Sequence, residues 1–172
     1  MPPRAEHTRW VAETMGAPDF EAPGSILDLL NYQLHLVLGF SSAPVVRMCE
    51  REFGITLHEW GYIALLARFG PLAPSELASR SGMDRSRTSK ALVPLAAKGL
   101  IVRRPVQGDR RRAEVALSAA GRRMYERIFP RAQSLHRALL APLSAAEVKV
   151  LGRLLHRLRR RAIEIEVERG AG

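Results

Sequence analysis

Apolar residues recur at helical spacing through most of the chain, and capping signals cut that pattern into segments. Ser25 is placed to cap a long helix, with Asp28 three positions on, where an acid favours the helix dipole. From Leu34 to Phe40 this run is apolar on nearly every face except His35 and Gly39, the pattern of a helix buried on two sides, one of which could meet a partner subunit. Pro44 predicts a kink or break near Ser41–Pro44, and Gly54 a stop. Thr56 and Glu59 form a capping box, with Ile55 and Trp60 at the staple positions, so a second helix starts there and ends at Gly70–Pro71. A third opens at Pro74-Ser75-Glu76 and closes at Gly82; a fourth begins at Asp84 or Arg85 and runs to Gly99. Two short helices joined by a tight glycine-containing turn make a helix-turn-helix.

The period then changes. Leu100–Arg104 is β-prone, Gln107-Gly108-Asp109 is a turn, and Ala113–Leu117 alternates as a second strand should, giving a two-stranded wing. Ser118 caps a fifth helix to about Leu140. Ser144 and Glu147 box the start of a sixth running toward Glu168, with Val148, Leu151, Leu154, Leu155 and Leu158 on one stripe. The fold predicted is mainly α with a small β-wing: a winged helix-turn-helix with six main helices. Residues 1–24 read as a proline-rich extension with room for a short helix around His7–Met15. Residues 25–54 form a dimerisation helix, 55–117 a DNA-binding domain, and 118–172 C-terminal dimerisation helices.

Charge sharpens this outline. The 172 residues carry a net charge of +10, but residues 1–79 are net negative by four and residues 80–137 carry +11. A cation surplus confined to the helix-turn-helix and wing points to a polyanionic partner. The single cysteine, Cys49, excludes an internal disulfide and fits a reducing compartment; between Met48 and Glu50 it reads as an inert thiol. No stretch has the roughly 18 apolar residues of a membrane span, and the first 24 residues lack the apolar core of an export signal. The expectation is a soluble cytoplasmic chain associated with the nucleoid. The five histidines show no metal-ligand spacing, and there is no Gly-rich phosphate loop, nucleophile elbow or acid/base pair, so neither a metal, a cofactor nor catalysis is expected.

Three stretches resemble the MarR family of transcription regulators over roughly residues 25–165. Ser75-Glu76-Leu77-Ala78 matches the family's "S/T-x-x-L-A" opening of the first helix of the reading pair. Lys98-Gly99-Leu100-Ile101-Val102-Arg103 matches its "K-G-L-I/V-x-R" passage into the wing. Asp109-Arg110-Arg111, then Leu117-Ser118 and Gly121-Arg122, fit its "D-x-R … L-T/S-x-x-G" signature. Pro94 departs from the pattern, standing where the family has a polar helix former.

A fourth helix reading the major groove offers Arg85, Ser86, Arg87, Thr88, Ser89 and Lys90 in its first turns, with Ser75 at the start of the third helix beside them. Arg87 and Thr88 are the candidates for base edges, and Ser86, Ser89 and Lys90 for phosphate. Asp109, Arg110, Arg111 and Arg112 suit a narrow minor groove. Asp109 holds either Arg111 or Arg110, and the other faces the groove. The resemblance implies a repressor that binds a pseudo-palindromic double-stranded operator as a homodimer and is released by a small aromatic acid. Tyr32, His35, Trp60 and Ile63 are the local candidates for that effector. The alternative is a non-specific architectural nucleic-acid-binding winged helix without effector.

Overall fold

A computed structural model describes the backbone of residues 16–106 and 109–170, and the side chains of all these except 106, 109–112 and 170. The helix expected around His7–Met15 and the wing-turn residues Gln107 and Gly108 lie outside the described residues. The chain forms two compact units, divided between Gly54 and Ile55.

In the first unit, Ser25 caps a single 3-10 turn, Ile26–Asp28, rather than the long helix. The Asp28 carboxylate explains the difference, because it gathers the N–H groups of Asp19, Gly24 and Ser25 and the Ser25 hydroxyl, binding the preceding loop to this turn. The first α-helix, α1, is Leu30–Phe53, closed by Gly54 in the left-handed region (φ +63°). It continues through Pro44, so the break that proline could have made there does not occur. The pattern read from Leu34–Phe40 as burial on two sides is not met among the described residues, where Leu34, Val37, Leu38 and Phe40 are exposed.

The second unit opens with α2, Leu57–Phe69. The Thr56 hydroxyl accepts the Glu59 N–H at 3.1 Å while the Glu59 carboxylate accepts the Thr56 N–H at 2.7 Å, so the predicted box is made in both directions. Helix α3 is Pro74–Ser81, where Glu76 accepts the Ala73 N–H and Gly82 (φ +69°) ends the helix. Helix α4, Arg85–Ala97, starts on Asp84 and continues through Pro94. Pro94 itself lies on the exposed side of the helix.

Strands β1 (Ile101–Val106) and β2 (Asp109–Leu117) pair antiparallel, Ile101 opposite Leu117, with the register shifting between Pro105 and Val106. Leu72 adds a one-residue bridge, exchanging both backbone hydrogen bonds with Val115 (2.8 and 3.0 Å). Helix α5, Ala119–Leu140, follows on a Ser118 cap, and α6, Ala145–Gly170, on the Ser144–Glu147 box. The fold is thus the expected one: six α-helices among the described residues and a small two-stranded wing.

The core of this unit lies where α2 packs against α3, α4, β2 and α5. Ile63, Leu77, Leu92, Leu95, Val115 and Ile128 have essentially no exposed surface. The junction of wing and α5 accounts for the Leu-Ser-x-x-Gly motif. The Ser118 hydroxyl donates to the Gly99 carbonyl at 2.6 Å and accepts the Gly121 N–H at 3.0 Å. A Cβ at Gly121 would lie 2.0 Å from the Leu100 carbonyl oxygen, so only glycine lets α5 pass this close to β1.

Candidate nucleic-acid interface

Helix α4 has two sides, and its sequence explains both. Thr88, Leu92 and Leu95, spaced i, i+4, i+7, are its buried residues. Arg85, Ser86, Arg87, Ser89 and Lys90 are all exposed, so the first two turns present three cations and two small hydroxyls to solvent. Asp84 accepts the Arg87 N–H at 2.7 Å through one carboxylate oxygen, and its other oxygen lies 3.2 Å from the Arg87 Nε. The residue that caps the helix therefore also steers the guanidinium beside it, a charge-assisted contact that limits where the arginine points.

Thr88 corrects the expectation that it reads a base. It has no exposed surface; its hydroxyl donates to the Asp84 carbonyl at 2.9 Å and lies 3.2 Å from the Tyr62 hydroxyl, which donates to it. Its role in this geometry is to moor α4 to α2. The i, i+4, i+7 series with Leu92 and Leu95 was the signal in the sequence that assigns it to the inner side.

A second mooring also escaped the sequence reading. The Lys98 ammonium sits 2.8 and 2.9 Å from the two carboxylate oxygens of Glu59, whose side chain is only 4% exposed. Glu59 thus serves the α2 cap and the end of α4 at once. The Lys-Gly-Leu motif has a physical content here: the lysine neutralises a buried acid, and Gly99 (φ +66°) turns the chain into β1.

Ser75 is exposed in the first turn of α3. Asp109, Arg110, Arg111 and Arg112 belong by backbone to β2, and their side chains lie outside the described residues, as does the arginine pairing at the wing. Arg103 and Arg104 on β1 are exposed and add cations to the same hairpin, which the sequence reading did not count among the contacts.

The four effector candidates fall in two groups. Tyr32 is half-buried and His35 exposed on α1, their ring centroids 6.4 Å apart. Trp60 and Ile63 face the packed interior. Trp60 is buried and stacked on Tyr125 at 5.7 Å, which stacks in turn on Phe129 at 5.1 Å, and Ile63 has no exposed surface. Cys49 is buried, and burial first, then the charge of Glu50, pushes its thiol above the ordinary value, opposite to what a reactive cysteine needs. No cluster of metal-ligating side chains occurs among the described residues, and no helix there is long and apolar enough to cross a membrane.

Comparison with known proteins gives this geometry a context. Residues 53–112, the span from the end of α1 into the wing, match the MarR family. The chain is 30% identical over 107 residues to the HTH-type transcriptional regulator FarR of Neisseria gonorrhoeae, covering 62% of this chain and 73% of that protein. The crystal structure of a probable transcriptional regulator from Pseudomonas aeruginosa is similar at 30% identity and a TM-score of 0.68, over 78% of this chain and 99% of that one. The PcaV transcriptional regulator from Streptomyces coelicolor, solved in complex with its natural ligand, shares the fold at 24% identity and a TM-score of 0.66, over 86% of this chain and 99% of that one.

Proposed function

Because the chain belongs to the MarR family of transcription regulators, we propose that it is a cytoplasmic repressor, binding a pseudo-palindromic operator as a homodimer and released by a small aromatic-acid-like effector. The observation that carries this reading is the two-sided α4. A helix moored at Thr88, Leu92 and Leu95 keeps Arg85, Ser86, Arg87, Ser89 and Lys90 together on its open side, the arrangement major-groove readout requires. Arg87 reads a base edge, for which arginine's two parallel donors suit guanine. Ser75, Ser86, Ser89 and Lys90 hold phosphates and set the register. At the wing, Asp109 holds one of Arg110 and Arg111 while the other enters the adjacent minor groove, with Arg103, Arg104 and Arg112 adding charge to the same hairpin.

Dimerisation is supported by apolar surface that the described residues of one chain leave uncovered. Leu154, Leu155 and Leu158 on α6 are each more than 40% exposed, as are Leu34, Val37, Leu38 and Phe40 on α1. Surfaces of this kind, on long helices and at regular spacing, are what a two-fold partner covers. The effector follows the precedent of a family member solved with its natural ligand; on this chain Tyr32 and His35 are the candidates that remain open to one.

Selection from a random duplex pool with the purified chain tests the reading. Enrichment of inverted repeats with half-site centres about one helical turn apart (~10 base pairs) is the expected outcome. Equal retention of all sequences, with a steep salt dependence, would replace it with the architectural reading.

A further inference from the structure

The contacts between Asp84 and Arg87 are the last links of a chain that begins in the core. The Tyr62 hydroxyl on α2 donates to the Thr88 hydroxyl at 3.2 Å, and Thr88 donates in turn to the Asp84 carbonyl through its hydroxyl (2.9 Å) and its N–H (3.0 Å). The backbone of Asp84 is thus fixed from the buried side of α4. One of its carboxylate oxygens accepts the Arg87 N–H, and this leaves the other standing 3.2 Å from the Arg87 Nε. An ordinary exposed ion pair must order two free side chains and gains little. Here the cap already anchors the carboxylate, so only the arginine loses freedom on pairing. Arg85 and Lys90, exposed on the same two turns, pair with no acid among the described residues and stay free to follow phosphates.

We propose that Asp84 is a positioning residue that makes Arg87 select guanine, so that each operator half-site carries one guanine whose recognition depends on Asp84 as much as on Arg87. The proposal rests on the operator-binding reading. An arginine can meet a base through Nε and one Nη or through both Nη groups. With Nε turned to the carboxylate, the fork of two Nη groups is what remains for DNA. Guanine offers that fork two acceptors, O6 and N7, whereas adenine sets its N6 amino donor where the second acceptor is needed. A free arginine would escape the adenine by swinging to a phosphate, a contact without sequence information. An arginine held by Asp84 has no such escape, and the exposed Asp84 charge itself repels phosphate. Asp84 thereby lowers the affinity for any duplex while raising the difference between the right base and the wrong one.

The test is a double-mutant cycle on the full chain, with Asp84→Asn and Arg87→Ala made singly and together. Asparagine still caps the helix through its one side-chain oxygen, so urea unfolding of Asp84→Asn should match the wild type, but it has no second oxygen for Nε. Affinity is read at one salt concentration on the selected inverted repeat, on repeats with each G·C pair of the half-site changed in turn to A·T, and on a scrambled duplex. At one position the wild type should prefer guanine by about tenfold or more, and Asp84→Asn by no more than about twofold. Binding of Asp84→Asn to the scrambled duplex should tighten at the same time, a change of sign that loss of a merely structural residue does not give. In the Arg87→Ala background, Asp84→Asn should leave the preference at that position unchanged. Guanine preference that survives Asp84→Asn, an equal gain on every duplex, or a selected repeat with no guanine that depends on Arg87 would overturn the proposal and leave the operator reading in place. Failure to enrich any repeat would overturn both.

Discussion

Within the DNA-binding unit every helix from α2 to α5 turns a face inward: Ile63 and Leu66 from α2, Leu77 from α3, Leu92 and Leu95 from α4, Ile128 from α5. Helix α6 turns none inward; none of its described residues is buried, although its leucines recur as regularly as those of α2. Helix α1 keeps only Met48 and Cys49 buried and exposes its apolar first half. The same periodic signal therefore has two outcomes. Where polar moorings such as Glu59–Lys98 and Tyr62–Thr88 specify one arrangement, the apolar stripe becomes a core within the chain. On α1 and α6 much of the stripe stays exposed among the described residues.

The comparison breaks most visibly if α6 is not an interface. Replacing Leu154 and Leu158 by glutamate should convert the proposed dimer to monomer in sedimentation velocity. Burying each leucine contributes about 1.5–3 kcal/mol, so the pair should raise the dimer dissociation constant at least a hundredfold. A double variant that remains dimeric at micromolar concentration would remove α6 from the interface. Within the head the largest effect belongs to Gly121→Ala, because its Cβ meets backbone rather than a movable side chain. A loss of about 3 kcal/mol in urea unfolding is expected, at the top of the usual overpacking range. Lys98→Met leaves the Glu59 carboxylate buried without its cation. Since Lys98 is itself 38% exposed, the cost should be about 2 kcal/mol, below that of a fully buried pair. Glu59→Gln added to Lys98→Met should recover much of that loss, and failure to do so would mean the pair is not the mooring described.

These effects also mark what the sequence could disclose. Local chemistry was legible: the Thr56–Glu59 and Ser144–Glu147 boxes, the Ser118 cap and the glycine stops each act within four residues, and each forms as expected; Asp84 was read as a possible first residue of α4 and proves to be its cap. Ser25 was read correctly as a cap and wrongly as the start of α1: with Asp28 it boxes a short 3-10 turn, and the Asp28 carboxylate also holds the loop before it. Pro44 did not break α1, since a proline inside a long helix removes one hydrogen bond while the rest persist. The site was less legible than the fold. A threonine among arginines and serines looks like a reading residue until Leu92 and Leu95 are seen to continue its line inward. The Glu59–Lys98 pair spans 39 positions, beyond any local pattern.

The central claim is that the open side of α4 reads sequence rather than charge alone. The direct measurement is the affinity of the wild-type chain and of Arg87→Ala for the selected inverted repeat and for a scrambled duplex, at one fixed salt concentration. The account predicts a loss of roughly 1–3 kcal/mol on the repeat and little change on the scrambled duplex. Equal losses on both would contradict it.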